Sequence, residues 1–159
     1  MTQWTLADSA KTMLDVRETA GARHNPIVVG MLQAFASWIQ DDETAWCGAF
    51  AGFICKVNGY PTPGPKPWHA LRARYWLTVG VDIPLERATG NCVVIFKRGG
   101  GNQPGPETLD ATGHVAFFNG YDGGSRVSVV GGNQSNKVSV TTYPTSRVLG
   151  VRRMVRSPR

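Results

Sequence analysis

The spacing of apolar residues changes once along this chain, near Gly90, and that change restricts the folds open to it. Before Gly90 the apolar positions recur at helical intervals; after it they gather in short runs bounded by turn residues. Leu6, Ala10, Met13, Leu14 and Arg17 predict a first helix running towards Gly21. Ile27 to Gln40 predicts a second, apolar at Ile27, Met31, Phe35 and Ile39. Trp46, Ala49, Phe50, Phe53, Ile54 and Val57 fall on one helical face, so a third helix covers this stretch and stops near Asn58-Gly59. Pro61 to Pro67 is a connector, and Pro67 opens a fourth helix with Leu71, Tyr75 and Val79 on one face and Gly80 as its stop. Beyond Gly90, Cys92–Lys97, Val115–Phe118, Val127–Val130, Val138–Thr142 and Val148–Val151 read as strands. Asp122-Gly123-Gly124 is a hairpin turn, and Arg98 to Thr112 is a long loop rich in glycine and proline. Helices first and antiparallel strands after them predict an α+β domain, with the helical half packed on a C-terminal antiparallel sheet.

At 159 residues the chain is expected to form one domain, 1–159, with a basic tail at about 152–159. No apolar run reaches the length of a membrane span, and the first residues do not read as a secretory signal. The expectation is therefore a product made in the cytoplasm, a monomer without stable membrane insertion. A net charge of +6 suits an anionic partner, nucleic acid or a phosphate-rich envelope polymer. The basic residues are scattered except at the tail and no nucleic-acid motif is present, which argues against nucleic acid. Cys47, Cys55 and Cys92 have no metal-type spacing, and His24, His69 and His114 are scattered too, so no metal and no cofactor is expected.

Cys47 falls in the first turn of the third helix, where unpaired backbone N–H groups and the helix dipole favour a thiolate. Asp42, Glu43 and Thr44 are candidate N-caps for that helix. Gly48 and Gly52 leave one of its sides bare, open to the close approach of another backbone. Gly113-His114-Val115 opens a strand far downstream. A cysteine on a helix N-terminus and a histidine on a distant strand are the two halves of a thiol nucleophile and its base. The hairpin at Asp122-Gly123-Gly124 folds the polar segment Gly131-Gly132-Asn133-Gln134-Ser135-Asn136 back beside His114. Strand alternation puts Gly131 and Asn133 on one face and Gln134 on the other, which favours Asn133 as the group that orients the imidazole. Cys55 and Cys92 read as packing residues. Trp46, Trp68, His69 and Trp76 are aromatic candidates for a cleft wall, each also explicable as core or a half-exposed helix face.

At Trp46-Cys47-Gly48-Ala49-Phe50 and Gly113-His114-Val115-Ala116 the chain resembles the papain-like peptidoglycan hydrolases of the NlpC and CHAP superfamily, and within it small phage lysis proteins. Further matching stretches are His24-Asn25-Pro26-Ile27, Ala73 to Gly80, Gly90 to Phe96 and Gly131 to Asn136, so the resemblance spreads over most of the chain. It implies a papain-like fold and cofactor-free cleavage of amide bonds in the peptide part of the bacterial cell wall. The family cysteine carries onto Cys47 and its histidine onto His114. Many relatives have a glutamate near the third position, where Gly131 and Gly132 stand here; Asn133 is the best match, with Gln134 behind it. Trp46, Asp42 and Gln134 are the expected substrate contacts. The implied partner is peptidoglycan, reached after release from the producing cell. A lysis protein, a tail-borne hydrolase and a delivered antibacterial toxin share this chemistry, and a non-catalytic wall-binding module shares the fold. Amidase and endopeptidase cuts need the same triad, so the scissile bond stays open.

Overall fold

The computed structural model describes residues 3–19, 24–39, 45–98 and 102–156. Three α-helices, α1 (Leu6–Lys11), α2 (Pro26–Gln33) and α3 (Cys47–Val57), precede two 3-10 turns, Pro67–Leu71 and Ala73–Thr78. The strands β1 (Val81–Asp82), β2 (Cys92–Lys97), β3 (Gly113–Tyr121), β4 (Arg126–Gln134), β5 (Lys137–Pro144) and β6 (Val148–Arg153) follow. They form one antiparallel sheet in the order β1-β6-β2-β3-β4-β5. The predicted α+β class and the five longer strands are present; the two-residue β1 on the edge is an addition. Arg152 and Arg153, expected in a basic tail, belong to β6 and pair with β2 and β1. Among the described residues no helix is long and apolar enough to cross a membrane.

Strand alternation divides the apolar residues into two clusters. Val93, Ile95, Val115, Phe117 and Val130 pack with Leu6, Leu32, Phe50 and Ile54 from the helices. Cys92, Val94, Phe96, Ala116, Val127, Val129 and Val151 form a separate cluster with no helical residue in it. A sheet buried on both faces explains why β2 is apolar at every position but its last.

Three helical boundaries differ from the expected ones. α1 has a capping box, Thr5 and Asp8 exchanging hydrogen bonds, but ends at Lys11. Asp15 then adopts a left-handed φ of 72°, and the chain up to Arg17 hydrogen-bonds the edge of β5. α2 starts at Pro26, with Asn25 as its cap, and stops at Gln33; Phe35 packs into the core from the turn that follows, whereas Ile27 is exposed. The predicted fourth helix is broken at Arg72, whose extended backbone separates the two 3-10 turns.

α3 runs as predicted, from Cys47 to Val57. Its N-cap is Trp46, without a side-chain capping bond among the described residues; the expected caps Asp42, Glu43 and Thr44 lie outside the described residues. Gly48 permits the close approach expected of it: a Cβ there would lie 2.2 Å from the Ala70 carbonyl oxygen. Gly52 instead faces the ring of Phe35. The Ala70 contact presses the Pro67–Leu71 turn against the start of α3, beside Cys47.

Candidate active site

Cys47 is the first residue of α3 and His114 the second of β3, and the fold brings them together. The thiol is within hydrogen-bonding reach of the His114 imidazole and of the Val115 backbone N–H. Burial pushes the Cys47 pKa up, but the His114 hydrogen bond and charge, the Val115 amide and the charge of Arg98 outweigh it and hold the thiol below its ordinary range. Cys55, on the same helix, is buried without such neighbours, and its pKa is driven far upward. Cys92 is buried in the second cluster, where its sulfur accepts from the Thr89 N–H. None of the three cysteines is bridged, and Cys47 is the one that stands beside a histidine.

The other side of the imidazole belongs to Gln134. His114 Nε2 lies 2.9 Å from Gln134 Oε1. The amide is oriented by its far end: Gln134 Nε2 donates to the Ser139 carbonyl at 2.7 Å, and a carbonyl can only accept. Oε1 therefore faces the ring and accepts from Nε2–H. That fixes the proton on Nε2 and leaves Nδ1 for the thiol. Phe96 and Tyr143 flank the ring at centroid distances of 6.1 and 5.5 Å.

Asn133, favoured by simple alternation, is not the residue on the imidazole. Between Gly131 and Gln134, β4 advances three residues while β5 advances two, from Ser139 to Lys137. The extra residue is a bulge, and it exchanges the faces of the residues beyond it. Asn133 sits in the bulge with φ 56° and lines the cleft beside His114, and Gln134 takes the inward position. The two glycines before Asn133 have a steric reason. A Cβ at Gly131 would lie 2.8 Å from Gln134 Oε1, and one at Gly132 2.8 Å from the Trp46 ring.

Trp46 is fully buried and donates from its indole N–H to Glu18 at 2.8 Å. It is a prop beneath the Gly132 backbone, not the expected substrate contact. Asp42 lies outside the described residues. Trp76 is buried and bonded to the Ala70 carbonyl; His69 is buried and Trp68 is half-buried, stacked on it.

Two clefts, each of ≈ 200 Å³, border this site, one at Cys47 and one at His114. One runs past Cys47 between Leu71, Ala73, Ala111 and Thr112, and its Arg72 is paired with Asp110. The other runs past His114 between Phe96, Lys97, Asn133, Tyr143 and Arg147. Arg98 borders both. The sequence reading missed Arg98 and Tyr143. A signal for the first was available: β2 and β3 pair Phe96 with His114 and Lys97 with Gly113, so the residues leaving β2 must flank the histidine.

A thiol whose pKa is drawn down, a base with a fixed tautomer and an oriented third group can carry out acyl transfer. No protein-family model matches the chain, and no curated protein matches it.

Proposed function

We propose that the chain is a cysteine peptidase or amidase that cleaves amide bonds in the peptide part of bacterial peptidoglycan. One observation carries the chemistry: His114, which draws down the pKa of the Cys47 thiol beside it, is held at Nε2 by an amide, Gln134, whose orientation is fixed from Ser139. In this reading Cys47 Sγ attacks the carbonyl carbon. The Cys47 backbone N–H, at the start of α3 and unpaired within the helix, donates to the developing oxyanion. His114 gives its Nδ1 proton to the leaving nitrogen as the C–N bond breaks, and then takes a proton from the water that hydrolyses the thioester. Gln134 keeps the ring in the plane and tautomer that this exchange requires.

The choice of substrate rests on the resemblance of the Trp46–Phe50 and Gly113–Ala116 motifs, and so does a papain-like reading of the sheet and its nucleophile helix. The role as a phage lysis protein rests there too. The basic surface supports attraction to an anionic envelope. Purified cell walls cast in a gel test the function. Wild-type protein should clear a band where Cys47→Ala leaves none. Clearing by neither protein would reject hydrolysis in favour of a wall-binding module.

A further inference from the structure

Arg74 is a fully buried charge with no part in the acyl transfer itself. Its hydrogen bonds go to backbone carbonyls of the loop before β3. Nη1 donates to Pro104, Gly105 and Thr108 at 2.9, 2.6 and 3.3 Å, and Nε donates to Thr112 at 2.9 Å. Nη2 is buried with no partner among the described residues. Such a charge costs more to bury than an apolar side chain of the same size. A rigid planar fork, however, fixes several carbonyls at once, which no apolar side chain can do. One of these bonds reaches the catalytic pair. Thr112 stands two residues before His114, and Gly113 between them packs on the Arg74 stem: a Cβ there would lie 3.0 Å from Arg74 Cγ. Pairing of β3 with β2 ends at Gly113 and Lys97, so Thr112 is held by Arg74 rather than by the sheet.

We propose that Arg74 is a positioning residue of the active site: its bond to Thr112, with Gly113 seated on its stem, sets where β3 begins and so holds the His114 imidazole at the Cys47 thiol. This rests on reading Cys47 and His114 as nucleophile and base. Gln134 restrains the ring at Nε2, and strand pairing restrains the backbone from Gly113 onward. Arg74 supplies the restraint on the other side, where the loop enters the strand. The same bonds shape the acyl-side cleft, because Ala111, Thr112 and Gly113 line it beside Cys47. A thiol and its base must meet within hydrogen-bond reach, so a small shift of this strand end is felt directly in the chemistry.

Alkylation of Cys47 by iodoacetamide, followed by peptide mapping, reads the pair without turnover. Arg74→Lys keeps the charge and a donor but loses the fork. As His114 recedes, the thiol loses the neighbour that draws its pKa down, and less of it is thiolate at a given pH. Arg98 and Tyr143, the other charged or titratable groups that act on Cys47, carry no bond from Arg74. Alkylation at pH 7 should therefore slow about 3-fold, with its half-maximal rate displaced to higher pH, in the direction of His114→Ala. Wall clearing should slow about 10-fold. Val28→Ala, a core truncation in α2, is the destabilised control and should keep the wild-type alkylation profile. A lower Tm with an unmoved profile in Arg74→Lys, or an equal displacement in Val28→Ala, overturns the proposal. Should Arg74→Lys not fold, Gly113→Ala presses on the same stem from the other side, and an unmoved profile there overturns it equally. Walls left intact by the wild-type protein would reject the peptidase reading while the alkylation profile still decides the role of Arg74, so the two failures are distinguishable.

Discussion

Gln134 and Asn133 are neighbours that differ by one methylene, yet only Gln134 meets the imidazole. Alternation alone assigns the position to Asn133, and the bulge reverses the assignment. Its trace in the sequence is Asn133-Gln134-Ser135-Asn136, where Ser135 and Asn136 take the two positive φ values of a tight hairpin turn into Lys137. Asparagine tolerates that conformation, but serine gives little warning of it. Gln134→Ala should lower kcat on the order of 10²-fold with little change in Tm, while Asn133→Ala should do much less. Gln134→Glu should restore an acceptor for Nε2–H and with it part of the rate. Equal, mild losses at both positions would reduce the site to a Cys47–His114 dyad. The pH dependence follows from the depressed Cys47 pKa. Above that pKa the sulfur is thiolate, and as pH falls through it the thiolate is lost. Alkylation of Cys47 by iodoacetamide should therefore reach half its maximal rate below pH of about 8.5, the ordinary thiol midpoint, and His114→Ala should move that midpoint up. An unmoved midpoint in His114→Ala would break the proposed pair.

Elements were legible in proportion to how far local pattern decided them. α3 is legible because its apolar stripe runs from Trp46 through Val57, and all of that stripe except the half-buried Phe53 and the exposed Val57 is buried. The Pro67–Val79 stretch was not, because its geometry answers to a tertiary demand. Arg74 is fully buried between the turns and the loop before β3. Its guanidinium donates to the carbonyls of Thr112, Pro104 and Gly105 at 2.9, 2.9 and 2.6 Å. Breaking the helix at Arg72 lets the chain present Arg74 to that loop, and a helical reading of Leu71, Tyr75 and Val79 contains no hint of it. Arg74→Met should remove these bonds from the loop carbonyls and cost about 2 kcal/mol of stability. The same variant should expose the 102–112 loop to proteolysis. Denaturant unfolding and limited digestion measure both effects, and a wild-type midpoint with an intact loop would show that Arg74 is dispensable.

At the scale of the whole molecule, the change of period at Gly90 sufficed for the α+β class, and the Asp122-Gly123-Gly124 hairpin sufficed to fold β4 back along β3. The strand order and the position of β6 between β1 and β2 depend on contacts between residues far apart in sequence, which no local pattern encodes. The net charge of +6 acts at this scale as well. Wall binding by Cys47→Ala should weaken as salt rises, because long-range attraction is screened; binding unchanged between low and high salt would remove that contribution. The most direct test of the central claim is the chemistry of the products. Purified walls digested with wild-type protein should release peptides bearing new amino and carboxyl termini, each cut adding one water to the mass, while Cys47→Ala releases none. Release of the same peptides by Cys47→Ala would contradict the account.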